Sequence, residues 1–179
     1  MLVRKNETVF ESSEAHFSKC LTYRFHLRRT WDSNRPPINF LMLNPSTADE
    51  MKNDPTIERC CRRAEMWFYG GVWITNLFAL RSTDPAGLRS HPDPVGPGND
   101  QAILDAAKGS AAVVCAWGNH GSFQGRGLAV FRLLEATKLV GPLFALDVTK
   151  TGHPAHPLYL GYDRRPMIFL GKILKGECQ

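Results

Sequence analysis

The segment Phe40–Thr56 constrains the fold most, because an apolar run stops there abruptly and a polar loop takes over. The run Ile38–Leu43 is typical of a buried strand, and Asn44-Pro45 begins a turn directly after it. Asp54-Pro55 predicts the start of a helix, since aspartate caps free N–H groups and proline suits the first helical position. In open parallel sheets, ligands bind in loops that follow strands in this way. We interpret Asn44 to Asp54 as one wall of an active site, with an ordinary connecting loop as the alternative.

The chain repeats this order of strand, loop and helix. Apolar runs at 72–75, 111–117 and 143–146 predict three more buried strands. Helices are predicted after Asp54, at about 100–108 and at about 127–137. Strands that alternate with helices form a parallel sheet with helices on both faces. We therefore predict one α/β domain over residues 1–179, a three-layer sandwich whose mainly parallel central sheet has about four strands.

A further strand is expected on the N-terminal side of this unit. Residues 21–28 alternate apolar and polar side chains, which is typical of a half-buried strand. The turn region 31–37 would join it antiparallel to the strand at 38–43. Its polar side carries Arg24 and Arg28, which either face solvent or contact a nucleic-acid backbone. The net charge of +5 is compatible with a phosphate-bearing partner.

Missing motifs argue against several classes of protein. The five cysteines include no Cys-x-x-Cys pair, which disfavours a disulfide framework and a zinc or iron–sulfur site. No dinucleotide fingerprint, P-loop or Gly-x-Ser-x-Gly elbow is present. His153 and His156 each precede a proline, which disfavours a helical metal site, so we expect no metal and no cofactor. No apolar stretch approaches the roughly 20 residues of a membrane span, and we expect a cytoplasmic protein.

Polar segments follow each of the four predicted core strands. Because the carboxyl ends of parallel strands meet at one edge of a sheet, we predict that these segments line a single crevice. The segments are Asn44 to Asp49, Asn76 to Asp84, Gly118 to His120 and Thr149 to His156.

Five motifs give the chain a specific resemblance to a known group of proteins. They are Leu43–Asp49, Asp54–Thr56, Asn76–Arg81, Trp117-Gly118 and His156–Leu160. In this order they resemble an uncharacterised bacterial and phage family, domain of unknown function 1643. The resemblance covers most of the chain.

More distantly, the order of four short motifs is similar to that of the uracil-DNA glycosylase superfamily. Leu43–Ser46 resembles a Gly-Ile-Asn-Pro-Gly segment of those enzymes, and Ile74–Asn76 followed by Arg81 resembles an Ile-Thr-Asn segment. Trp117-Gly118 resembles a Trp-Gly pair on their third strand, and His156-Pro157 resembles their His-Pro-Ser-Pro loop. The resemblance implies a uracil-DNA glycosylase-like arrangement of the fold.

The chain also departs from the superfamily pattern. Met42 stands where those enzymes have glycine, and Leu158 replaces the serine of the His-Pro-Ser segment. The cysteines that hold a cluster in the iron–sulfur members are missing. A shared fold is therefore expected more strongly than a shared substrate.

The resemblance implies hydrolysis of an N-glycosidic bond. Asn44 would orient a water, His156 or His153 would stabilise the departing base, and Asp49 would accept a proton. Phe78 and Trp117 would either stack on a base or pack in the core. The candidate substrate-binding residues are Pro45, Ser46, Asn76, Phe78, Arg81, Trp117, Gly118 and His120.

Two other functions remain open from the sequence. The same fold would suit a non-catalytic protein that binds DNA, another nucleic acid or a nucleotide, with Arg24 and Arg28 on the phosphates. It would also suit a hydrolase or transferase that acts on a phosphorylated small molecule.

Overall fold

The computed structural model describes residues 1–84, 86–138 and 141–171, and it is built around one eight-stranded sheet. Across the sheet the strands lie in the order 1-2-3-5-4-6-7-8. The strands are β1 (Leu2–Glu7), β2 (Ser12–Phe17), β3 (Arg24–Thr30), β4 (Pro37–Met42), β5 (Gly71–Asn76), β6 (Val113–Cys115), β7 (Leu143–Ala145) and β8 (Met167–Ile168).

Four α-helices accompany the sheet in the described part of the chain. They are α1 (Pro55–Met66), α2 (Ala86–Ser90), α3 (Asn99–Lys108) and α4 (Arg126–Ala136). The short α2 lies inside the stretch 84–99, whose four prolines and three glycines predict an irregular segment. None of the helices in these ranges is long and apolar enough to cross a membrane.

Four neighbouring strands form the parallel part of the sheet. β4 pairs in parallel with β5 on one side and with β6 on the other, and β6 pairs in parallel with β7. The chain therefore leaves β4 in one direction, to β5, and later returns to its other side, to β6. In open α/β sheets the ligand crevice lies where the direction of winding reverses in this way, outside the carboxyl ends of the strands.

Helices cover both faces of this parallel part, as predicted. Alternate side chains of a strand point to opposite faces, and β4 shows this directly. Phe40 and Met42 belong to the core beneath α1, whereas Leu41 and Leu43 belong to the core beneath α3 and α4. The α/β class is thus confirmed, but the sheet is larger and more mixed than predicted.

The antiparallel part of the sheet corrects one prediction and adds a hairpin that was not predicted. β3 pairs antiparallel with β5, so the prediction that it would lie beside β4 is wrong. The turn at 31–37 instead passes the position of β5, so that β5 lies between β3 and β4 in the sheet. β1 and β2 add an antiparallel hairpin beyond β3, where residues 1–19 show no clear period in the sequence.

A β-bulge in β3 corrects another prediction. His16 and Phe17 are adjacent in β2, but they pair with His26 and Arg24, so Phe25 is an extra residue. A bulge of this kind reverses the alternation of side chains. Arg24 therefore leaves the face that carries His26 and is buried at 1% exposure, instead of lying on an exposed basic stripe.

Helix α1 begins as predicted and ends differently. Asp54 is the N-cap, and its Oδ1 accepts hydrogen bonds from the N–H groups of Thr56 and Ile57 at 3.0 and 2.9 Å. The Gly70-Gly71 pair predicts the end of this helix, but the left-handed residue after it is Phe68 (φ 63°). The spacing also predicts Phe68 on the apolar face of the helix, whereas its side chain is exposed. Gly70 is required for another reason, since a Cβ there would collide with backbone of the turn before β4.

Candidate active site

A cavity of about 480 Å³ opens at the carboxyl ends of β4 and β6, where the winding of the sheet reverses. This is the place at which the sequence predicts a crevice. The volume lies in the range of small-molecule sites in proteins. The cavity is lined by Arg24, Met42, Leu43, Asn44, Ser46, Asp54, Thr56, Ile57, Ser82, Thr83, Trp117, Gly118, Asn119, His120, Thr149, His156 and Tyr159.

Asn44 presents an oriented amide to this cavity. Its Nδ2 donates to the carbonyl oxygen of Ser82 at 2.7 Å and to that of Pro45 at 3.1 Å. Only the amide nitrogen can face two carbonyl oxygens favourably, so these bonds determine which way the amide is turned. Oδ1 then remains as a hydrogen-bond acceptor on the other branch of the amide.

His156 is oriented as a neutral hydrogen-bond donor. It caps the short 3₁₀ helix at 157–159, where its Nδ1 accepts from the N–H of Leu158 at 3.3 Å. Because Nδ1 accepts, the proton of the neutral ring is on Nε2. Burial lowers the pKa of His156 below its usual value, and the charge of Asp54 opposes this only in part. The ring therefore stays neutral at neutral pH, with Nε2–H as its donor.

Asn119 is oriented in the opposite sense to Asn44. Its Oδ1 accepts from the hydroxyls of Thr149 and Thr151 at 2.6 and 2.8 Å, which leaves Nδ2 as a donor. Asn119 follows β6 and Thr149 follows β7, so this contact joins two of the predicted polar segments. The cavity thus contains an asparagine acceptor and an asparagine donor from neighbouring strand ends.

Arg24 and Asp54 bring opposite charges to the cavity. Burial lowers the pKa of Arg24 to about 10, and the charge of Asp54 opposes the change. Arg24 therefore remains a cation at neutral pH. Its Nη1 donates to the carbonyl oxygen of Ala48, while its buried Nε has no hydrogen-bond partner among the described residues. The Asp54 carboxylate uses only Oδ1 as the cap of α1, so Oδ2 is not used by the cap.

Two of the predicted catalytic residues lie outside the cavity lining. Burial would raise the pKa of Asp49, but hydrogen bonds from the N–H groups of Met51 and Lys52, at 2.8 and 2.9 Å, outweigh it and keep the pKa low. Asp49 thus shapes its own loop. His153 is half-buried, and its carbonyl oxygen accepts from the N–H of Thr149 at 2.8 Å. Burial lowers the pKa of the His153 ring.

Several predicted substrate-binding residues lie behind the cavity wall. Phe78 is fully buried in the core, 5.6 Å from the ring of Phe123. Arg81 packs over the ring of Phe17 and donates to the carbonyl oxygen of Leu21 at 3.2 Å. Pro45 is buried and contributes its carbonyl oxygen to the Asn44 contact, not to the lining.

Asn76 is a special case among these. It is fully buried at the end of β5, and neither Nδ2 nor Oδ1 of its side chain has a hydrogen-bond partner among the described residues. It pairs across the sheet with Met42, which lines the cavity. A buried amide without hydrogen bonds lowers the stability of a folded protein. Asn76 is therefore an unsatisfied polar side chain beside a residue that lines the cavity.

Other predicted residues do line the cavity. Ser46 and the exposed His120 contribute to its wall. Trp117 also lines the cavity, although this residue is only 1% exposed. Gly118 has φ 68° and ψ −170°, a conformation essentially restricted to glycine. Its N–H donates to the carbonyl oxygen of Pro154 at 2.8 Å, which ties the end of β6 to the loop that carries His156.

Arg28 remains on the other face of β3 and does not join Arg24. Its guanidinium lies over the ring of Trp73, 5.1 Å from the ring centre, and its Nε donates to Thr30. The two arginines proposed to bind one nucleic-acid backbone therefore lie on opposite faces of the sheet, which separates Arg24 from any shared basic stripe.

The sequence does not indicate what four residues of the site do. Arg24 reaches the cavity through the bulge in β3, which no sequence pattern predicts. Asp54 was predicted as the cap of α1 and as the end of the wall Asn44 to Asp54, and it also contributes a carboxylate to the cavity. Asn119 and Tyr159 lie inside Gly118 to His120 and His156–Leu160, which the sequence singles out, and both line the cavity. No sequence pattern indicates that these two side chains face it.

The site and sheet define an α/β protein with a ligand-sized cavity at the winding reversal. Residues 24–158 match a family described as protein of unknown function (DUF1643), and the chain belongs to this family. The family resemblance seen in the motifs is thereby confirmed. No curated protein and no solved structure matches the chain. The similarity to uracil-DNA glycosylases stays a prediction.

The half-buried His156 of this site should make the protein sensitive to acid. An unfolded histidine has a pKa near 6.5, and the folded His156 has a lower one, so the unfolded chain binds more protons as the pH falls below about 6.5. The free energy of unfolding should therefore decrease from pH 7.5 to pH 5.5, as urea titrations would measure. His156→Asn keeps an acceptor for the Leu158 N–H and should show a smaller decrease. An identical decrease in both proteins would contradict this assignment.

Proposed function

We propose that this protein hydrolyses the N-glycosidic bond between a base and a sugar. The observation that carries the proposal is the pair of oriented groups in one cavity: Oδ1 of Asn44 as an acceptor and Nε2–H of His156 as a donor. The reaction needs an acceptor to orient water at the sugar and a donor at the departing base. Neighbouring backbone groups set both orientations: two carbonyl oxygens turn the amide of Asn44, and the N–H of Leu158 sets the tautomer of His156.

Residues of the cavity can orient the water, stabilise the departing base and accept the released proton. A water held by Asn44 attacks the anomeric carbon, and the bond from that carbon to the base nitrogen breaks. The bonding electrons leave with the base, whose negative charge is stabilised by the hydrogen bond from His156 and by the buried cation of Arg24. The proton from water goes to a carboxylate. Asp54 suits this step better than Asp49, because Asp54 lines the cavity.

The proposed substrate is a base-bearing molecule, either a nucleotide or a nucleic acid. A cavity of about 480 Å³ can enclose one base and its sugar. Asn119 Nδ2 would add a donor for a base or sugar oxygen. A nucleic-acid substrate would have to present its base out of the stack, as enzymes that act on bases require. A glycosylase-like sheet order is part of the same proposal.

Base release is the direct test of this function. The protein is incubated with free nucleosides, nucleotides, and single- and double-stranded oligonucleotides that carry uracil, hypoxanthine, xanthine or alkylated bases, and free base is measured by mass spectrometry. Release by the wild type and a loss of about 100-fold in His156→Asn are expected. Saturable binding without release would favour a non-catalytic nucleotide-binding or nucleic-acid-binding protein, and neither outcome with any substrate would overturn the proposal.

A further inference from the structure

Three ligand-type side chains meet on the sheet, away from the cavity just described. Glu14 and His16 lie two residues apart on β2 and therefore on the same face. His26 on β3 is the direct cross-strand partner of His16, and the centres of the two rings are 3.8 Å apart. One carboxylate oxygen and one nitrogen from each ring lie within 4.8 Å of one another.

The surrounding side chains hold this cluster in place. His26 lies between His16 and the indole of Trp73, whose ring centre is 5.5 Å away. Lys5 holds Oε2 of Glu14 at 3.0 Å, while Oε1 is the oxygen that contacts His16. Arg28, the cross-strand partner of Glu14, has its guanidinium over Trp73 at 5.1 Å. Oε1 is therefore turned toward the two imidazoles.

We propose that Glu14, His16 and His26 form a binding site for a divalent transition-metal ion of the zinc type. Two imidazoles and one carboxylate are a donor set that zinc accepts, with bonds of about 2.0–2.2 Å. Ligand atoms on such an ion stand roughly 3.3 Å apart, so the three groups need only small side-chain rotations to converge. Three protein ligands leave a fourth position for water or another ligand.

The position of the cluster gives that fourth ligand an entry path. His16 and His26 line a second cavity of about 520 Å³, together with Phe25, Trp73 and residues that precede and begin α3. It shares no lining residue with the active-site cavity. The site is thus separate from the proposed hydrolysis. The sequence gives no sign of it, because the three residues come from two strands that are brought together only by their pairing in the fold.

Calorimetric titration with zinc tests this site. The full chain is freed of metal with a chelator and titrated with ZnSO₄. All titrations use a Cys20→Ser background, because an exposed thiol such as Cys20 can itself act as a zinc ligand. One zinc per chain is expected. Glu14→Gln, His16→Gln and His26→Phe should each weaken binding by at least about 10-fold. His26→Phe keeps a ring against Trp73, and Glu14→Gln keeps the size of a side chain that is partly exposed.

His91→Gln is the matched control, because His91 is a partly exposed histidine outside the cluster. It should bind zinc like the parent protein. Circular dichroism and melting temperature verify that each variant is folded, and Glu14→Gln decides the outcome if His26→Phe does not fold. Co²⁺ should report the same site through its visible absorption bands. Absence of saturable 1:1 binding, or equal affinity in all three ligand variants and the control, would overturn the proposal.

Discussion

Replacing Asn44 by alanine should reduce base release by about 100-fold or more while the protein stays folded. The amide orients the attacking water in the proposed reaction, and alanine has no acceptor in place of its Oδ1. The cost to the fold should be about 1–2 kcal/mol, because alanine removes the two hydrogen bonds of Nδ2 and each is usually worth about 1 kcal/mol. The carbonyl oxygen of Pro45 keeps its bond from the N–H of Ser82 at 2.9 Å, so the loop retains one of its contacts.

The measurement compares single-turnover base release by the wild type, Asn44→Ala and Asn34→Ala on the substrate found in the panel. Asn34 is an exposed asparagine in the turn before β4, and its replacement should change neither release nor the urea midpoint. Single-turnover conditions separate the chemical step from product release. Unchanged release by a folded Asn44→Ala would remove the asparagine from the mechanism.

The order of strands and helices in the parallel half could be predicted because it depends on local patterns. Apolar runs that stop at asparagine, the Asp54-Pro55 helix start and the glycine after α3 are all encoded within a few residues. The edge on which the site lies follows from the same information, since parallel strands expose their carboxyl ends together. Asn44 and His156 were found in this way.

Sheet pairing and side-chain orientation could not be predicted, because they depend on contacts between distant segments. Nothing near β3 indicates that it pairs with β5, and one extra residue at Phe25 moves Arg24 to the other face. Similarly, Asp49 and Asp54 look alike in sequence. Their difference comes from Met51 and Lys52, which bind the first carboxylate, and from α1, which places the second at the cavity.

The orientation of the Asn44 and Asn119 side chains also depends on contacts between distant segments. The sequence identifies Asn44 as a candidate. The orientation of its amide depends on the carbonyl oxygen of Ser82, 38 residues further on, which accepts from Nδ2 and so leaves Oδ1 as the acceptor. Asn119 is turned the other way by Thr149 and Thr151. The chemical character of the cavity therefore arises from contacts between strand ends, not from any one motif.

The space around Trp117 leads to the prediction with the largest effect on stability. A Cβ on Gly121 would lie 2.6 Å from Nε1 of Trp117 and closer still to Cδ1. The indole cannot move away easily, because it is 1% exposed and Phe169 packs edge-on against it at 6.1 Å. Gly121→Ala should therefore lower the free energy of unfolding by about 3 kcal/mol, which corresponds to roughly 6–12 °C in melting temperature.

A double-mutant cycle tests whether the collision is with Trp117. In a Trp117→Leu background the added methyl group should cost much less, because the indole atoms it meets are gone. Gly141→Ala is the control, since a Cβ there would have no atom of the described residues within 4 Å, and it should change stability by less than about 0.5 kcal/mol. Equal costs of Gly121→Ala in both backgrounds would place the strain elsewhere. Because Trp117 and Gly118 form part of the cavity wall, the displaced indole should also reduce base release in Gly121→Ala under conditions where the variant is folded.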